Sequence, residues 1–244
     1  MEKRAQVTLF IIVGILIVSV VLVFFFVVGP RLQFIGGGQL SFESCVQDFL
    51  EEDILRLEKT AGFSDPGFSY SYYGDSIPYI CYTEDYYKTC TVQKPILTKN
   101  FERELKELSR EKIDLCYTNS LNDLRSQGYE VQQGKVNYNI SLDLGKVRVD
   151  INAPSRIGAS IYEKFRVEFN SPVYEMLMLS TSIIQYETTY GDTNLDQFMI
   201  LHPDYIFQKL KQGDGTTIYI IQHKTFEDRV VFASRSLVFP PGFG

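Results

Sequence analysis

Residues 136–180 read VNYNISLDLGKVRVDINAPSRIGASIYEKFRVEFNSPVYEMLMLS, and a change of period within this stretch decides the fold class. Val136, Tyr138, Ile140 and Leu142 alternate with polar residues, followed by Val147, Val149 and Ile151, then Ile161, Phe165, Val167 and Phe169. An apolar side chain at every second position puts one side of an extended strand on a core and the other in water. Turn residues fall at Leu144-Gly145 and over residues 154–158, so the spacing predicts an antiparallel three-stranded meander within residues 129–169. At Ser171-Pro172 the period becomes helical. Proline is preset for a first helical turn, Glu175 complements the positive helix end, and Met176, Leu177, Leu179, Ile183 and Ile184 form a core stripe before Gly191. Beyond a Gly213-Asp214-Gly215 turn, TTIYIIQHK and DRVVFASRSLVF read as two more strands. Strands, a helix and further strands predict an α+β fold of antiparallel sheet plus helices.

Upstream, SFESCVQDFLEEDILRLEKTAG reads as a helix capped at Ser41 and ended by Gly62, with Phe42, Cys45, Val46, Phe49, Leu50, Ile54 and Leu57 on one face. Glu43, Asp48, Glu51, Glu52 and Asp53 read as its solvated side. Residues 63–95 are aromatic and β-branched, with turn signals at residues 74–76 and 83–85, which predicts one or two hairpins. Tyr70, Tyr72, Tyr73, Tyr79, Tyr82, Tyr86 and Tyr87 concentrate there. Tyrosine couples a large apolar ring to a polar tip, so this cluster is the candidate contact face, or else a hairpin shielding itself with amphipathic rings. A second helix follows Pro95, with Phe101, Leu105, Leu108, Cys116, Leu121 and Leu124 on one face and Gly128 at its end. The expected division is a helix-hairpin-helix module over 41–128 and an antiparallel α+β module over 129–244. Gly36-Gly37-Gly38 marks residues 32–40 as a flexible linker ahead of both.

Residues 7–28 are apolar or small apart from the hydroxyls of Thr8 and Ser19. About 22 residues make roughly 33 Å of helix, enough to cross a hydrocarbon core of about 30 Å. The block exceeds a secretory apolar region and runs into Gly29-Pro30-Arg31 without a small-residue cleavage site, so residues 1–31 read as a cytoplasmic tip and a transmembrane helix lodged in the lipid bilayer. Lys3 and Arg4 precede the span, which places the N-terminus in the cytoplasm and the bulk of the chain outside the cell membrane.

The chain has a formal charge of −6. Only Glu2, Lys3 and Arg4 are charged before residue 29, leaving 22 basic and 29 acidic side chains in residues 29–244. That acidic body repels phosphate backbones, and no nucleic-acid partner is expected. All four cysteines follow the apolar block. Of three possible pairings, Cys45–Cys116 would join the apolar faces of two helices and Cys81–Cys90 would close a hairpin. No C-x-x-C spacing accompanies them and His202 and His223 lie far away in sequence, so no metal is implied.

No phosphate loop, dinucleotide fingerprint, H-E-x-x-H or G-x-S-x-G is present, and no cofactor or catalytic residue is assigned. Ser109-Arg110-Glu111-Lys112 has S-x-x-K spacing, but its charged surroundings read as a solvated turn in which the lysine keeps its proton. Asn139-Ile140-Ser141 is a glycosylation sequon.

Lys3-Arg4-Ala5-Gln6 ahead of a long apolar helix resembles the class III leaders of archaeal type IV pilin-like proteins. That resemblance implies cleavage between Ala5 and Gln6. Ala5 stands where glycine is usual, and Phe10 where many pilins carry glutamate. With ESCVQDFLEED, IPYICY, DLCYTNSL and SPVYEMLMLS added, most of the chain resembles a group of uncharacterised archaeal membrane-anchored surface proteins. The resemblance implies an extracytoplasmic module and supplies no catalytic residues. The expected role is therefore structural or in protein interaction at the cell surface, through a protein partner or self-assembly, and not as an enzyme. The alternatives are a pilin-like filament subunit and a surface hydrolase whose site has no sequence signature.

Overall fold

The computed structural model describes residues 16–19, 21–22, 29–157 and 160–238. Most of the apolar block at 7–28, and the processing positions Ala5 and Gln6, lie outside these residues. Residues 16–19 and 21–22 are helical and exposed. Among the described residues, no helix is long and apolar enough to cross a membrane.

The domain is α+β. Its elements are α1 (Gly29–Glu58), β1 (Ser69–Tyr72), β2 (Asp75–Tyr82), β3 (Thr91–Val92) and α2 (Leu97–Ser126), then β4 (Val131–Gln133), β5 (Asn137–Asp143), β6 (Lys146–Ile157) and β7 (Ser160–Asn170). They are followed by α3 (Val173–Tyr190), α4 (Asp196–Leu201), β8 (Tyr205–Lys211), β9 (Thr216–His223) and β10 (Arg229–Arg235).

The meander forms as its period requires. β5, β6 and β7 pair antiparallel, with β4 beside the far end of β6. Ile140, Leu142, Val147, Val149, Ile151 and Val167 all turn inward and are buried. The turn expected over 154–158 does not start at Pro154, because β6 continues to Ile157. A register shift between Asn152 and Ser155 accommodates the proline, which has no N–H to give to a ladder. The Pro154 carbonyl accepts from the Gly134 N–H at 2.8 Å.

The second sheet has the order β1-β2-β10-β9-β8, with β3 also on β2. It is not wholly antiparallel, since β2 and β10 run parallel, with Tyr79 beside Ala233 and Tyr82 beside Arg235. The sheet therefore crosses the division expected at residue 128. One apolar cluster likewise joins Phe42, Leu50, Phe101 and Ile113 to Val149, Ile183 and Phe232.

α1 runs unbroken from Gly29, so Gly36-Gly37-Gly38 lie inside a helix where a flexible tether was expected. Each glycine costs a helix about 1 kcal/mol, but extending an existing helix adds one hydrogen bond per residue without a new nucleus. Ser41 is accordingly interior and not a cap. Beyond it, Phe42, Val46, Leu50, Ile54 and Leu57 are fully buried against α2, which runs antiparallel and presents Phe101, Leu105, Ile113 and Leu121. Asp53, expected on the solvated side, is buried because Lys112 of α2 reaches it at 2.6 Å.

α1 ends where the chain enters left-handed backbone, with φ +88° at Gly62. An added Cβ there would lie 2.9 Å from Phe101 Cδ2, and Asn100 Nδ2 donates to the Gly62 carbonyl at 2.8 Å. Gly62→Ala is expected to cost about 2 kcal/mol, combining the left-handed penalty with overpacking. A lowered thermal midpoint would register it; an unchanged midpoint would contradict the close approach.

Candidate interaction face

The tyrosine hairpin is built from β1 and β2, paired Ser69 to Pro78 through Tyr72 to Asp75. Tyr73 and Gly74 make its turn, both at positive φ. Where β2 meets β10, Ala233 pairs with Tyr79 and the next residue, Ser234, pairs with Cys81, leaving Ile80 as an extra residue. This bulge has a large effect on side-chain direction. Ile80 and Cys81 both join the main core, while Ile77, Tyr79 and Tyr82 share the outer face.

That outer face carries its own apolar cluster of Ile77, Tyr79, Ile218, Val231 and Ala233, edged by Tyr70, Tyr72, Tyr82, Leu210 and Ile220. Every member is a strand residue, so no helix contributes an apolar side chain to this cluster among the described residues. The rings of Tyr79 and Tyr82 meet edge-on at 4.8 Å, and Phe68 packs against both. Tyr79 OH and Thr216 Oγ1 share a hydrogen bond of 2.8 Å, and burial pushes the Tyr79 phenol up. Arg235 lies over the Tyr82 ring. Of the seven tyrosines picked out by sequence, Tyr70, Tyr72, Tyr73, Tyr79 and Tyr82 therefore sit on the hairpin. Tyr73 is 94% exposed. Tyr86 and Tyr87 are exposed in the following loop and make no ring contact with the others among the described residues.

A groove of about 320 Å³ indents this face. Ile77, Ile218, Ile220 and Val231 line its floor, Tyr72 and Tyr73 stand beside it, and Lys59, Arg229 and Asp75 supply charge. Sequence reading missed Lys59 and Arg229, which are 170 positions apart and have no local motif. A buried pair of carboxyls brings them together. Glu58, the last residue of α1, and Asp228, just before β10, are neighbouring buried carboxyls, and Glu58 accepts from the Arg229 N–H at 3.0 Å. Ser171 Oγ donates to Asp228 at 3.2 Å. Burial first, then the Asp228 charge, pushes the Glu58 carboxyl well above the usual carboxylate range. The nearby Tyr205 phenol is pushed up to about 12 by burial and by Glu175, Asp204 and Asp228.

A further buried carboxyl, Glu187 near the end of α3, accepts from Tyr219 OH and from Ser234 Oγ at 2.9 Å. The serines on these carboxyls, Ser171 and Ser234, are themselves buried, and no histidine bonds either of them among the described residues. Ser109 is not in a solvated turn but fully buried on α2, bonded to the Lys106 carbonyl, while Lys112 is held by Asp53. His223 Nδ1 accepts from the Thr225 and Phe226 N–H groups, fixing the β9–β10 turn. His202 follows α4. Among the described residues, no three His, Cys, Asp or Glu side chains are grouped to hold a metal. Asn139 is exposed on β5, its amide donating to Ser141 Oγ at 3.4 Å.

The cysteines pair as Cys45–Cys116 and Cys81–Cys90. The two bridges differ in access. Cys81 and Cys90 are buried, whereas Cys45 is exposed in a surface groove bordered by Asp48, Glu52 and Leu115. Thiol exchange needs the attacking thiolate to reach a sulfur. Graded dithiothreitol is therefore expected to open Cys45–Cys116 first, read by alkylation and mass spectrometry; loss of Cys81–Cys90 first would refute this.

Comparison with protein-family models, curated proteins and solved structures finds no match.

Proposed function

We propose that this chain is a single-pass membrane protein whose α+β domain stands outside the cell and acts by contact with another protein through the outer face of its large sheet. Residues 7–28 cross the bilayer, with the N-terminus in the cytoplasm. The reading is supported by the face itself: a tyrosine-edged apolar cluster whose members are all strand residues among the described chain. Two cysteine bridges add support, because such bonds persist in oxidising compartments. Protease shaving of intact cells tests the placement. The expected result is cleavage in the exposed loop at Tyr86 and Tyr87, with no cysteine alkylated before reduction. A protected loop together with four reactive thiols would overturn the proposal.

A second reading, a filament subunit cleaved between Ala5 and Gln6, is favoured by the continuous α1 helix, which would carry a polymerising apolar segment straight into the domain. The mass of the purified protein separates the two. A chain starting at Gln6 supports the filament, and an intact N-terminus refutes it.

A further inference from the structure

We propose that the groove on the outer sheet face binds an acidic peptide segment whose apolar side chains seat on the groove's aliphatic floor. This deepens the contact function proposed above and rests on it. The floor crosses three strands, from Ile77 on β2 over Val231 on β10 to Ile220 on β9, with Val231 and Ile220 direct cross-strand partners. Such a floor suits Leu or Phe side chains.

Charge selects the occupant. Lys59 and Arg229 border the groove, and their side chains make no hydrogen bond or ion pair among the described residues. Asp75 also lines it, leaving one positive charge in excess. Unpaired cations beside an apolar floor are unexpected in a chain of net charge −6, where carboxylates are plentiful. Their placement is also fixed from beneath. Glu58 precedes Lys59, and the hydrogen bond from the Arg229 N–H to Glu58 ties the end of α1 to the start of β10, so both cations are presented at one site. Carboxylates flanking an apolar residue would meet both features at once. A second copy of this acidic chain is the competing occupant.

The test uses the full chain in lipid nanodiscs and two fluorescein-labelled peptides, Asp-Glu-Leu-Phe-Glu-Asp and its amide counterpart Asn-Gln-Leu-Phe-Gln-Asn, followed by anisotropy. The acidic peptide is expected to bind at least tenfold tighter than the amide, and to weaken as salt is raised. Lys59→Glu with Arg229→Glu is expected to abolish that preference with the circular dichroism spectrum unchanged, while Lys135→Glu, at an exposed residue outside the groove, leaves binding intact. Equal binding of the two peptides, no binding of either, or acidic binding that survives the double reversal would each overturn the proposal. So would a sedimentation change from oligomer to monomer on double reversal without peptide binding, which would assign the groove to a second copy. Cell shaving reports placement independently, so a domain facing the cytoplasm would defeat the proposed function while leaving groove binding as measured.

Discussion

Stability is expected to fall as pH rises above about 4.5, and Glu58→Gln is expected to remove that fall. The sign follows from proton binding. The Glu58 carboxyl is pushed above its ordinary value of 4.5, first by burial and then by Asp228, so the folded state holds a proton that the unfolded chain releases more readily. Its contribution is complete below the unfolded value and is lost as pH climbs through the folded one. One proton gives a slope of up to about 1.4 kcal/mol per pH unit over that window. Glutamine keeps the shape and can accept from the Arg229 N–H without a proton to lose. Urea unfolding at several pH values measures the slopes of both proteins. Parallel slopes would show that Glu58 does not hold its proton as burial beside Asp228 requires.

Replacing Cys45 and Cys116 together by serine is expected to cost about 4 kcal/mol, against about 2.5 kcal/mol for Cys81 and Cys90, on the chain-entropy account. The separations of 71 and 9 residues set the difference, because a longer closed loop removes more freedom from the unfolded chain. The longer bridge also clamps α1 to α2, the pair that buries Leu50, Ile54, Phe101 and Leu105. Chemical denaturation of the two double variants gives the comparison. A larger loss from Cys81 and Cys90 would mean that packing around the buried short bridge outweighs loop closure.

Local patterns carried much of the fold. The two-residue period of β5 to β7, the helix from Val173 to Tyr190 between Pro172 and Gly191, and both cysteine pairings were legible because each depends on neighbours or on one shared face. Ser109 was misread although the signal was there, since it shares the four-residue stripe of Phe101, Leu105 and Ile113. The parallel pairing of β2 with β10 had no local signal, because nothing in IPYICY names a partner about 150 residues away. β8 escaped notice because YIFQKLK mixes lysines into its apolar run, and Lys209 reaches inward to cover the Tyr219 ring. The groove cations were illegible for a different reason. Lys59 and Arg229 become neighbours only through carboxyls that sequence alone would place in water.

The unbroken rod of α1 also has a mechanical side. Tension applied at its leading end travels along hydrogen bonds in series until it meets the sulfur bridge at Cys45, shortly past the buried ring of Phe42. Turns ahead of that bridge can be drawn out and recoil, whereas the load beyond it passes covalently into α2. A pull on the leading end of α1 would thus lengthen that helix by a fixed amount and leave the sheets undeformed.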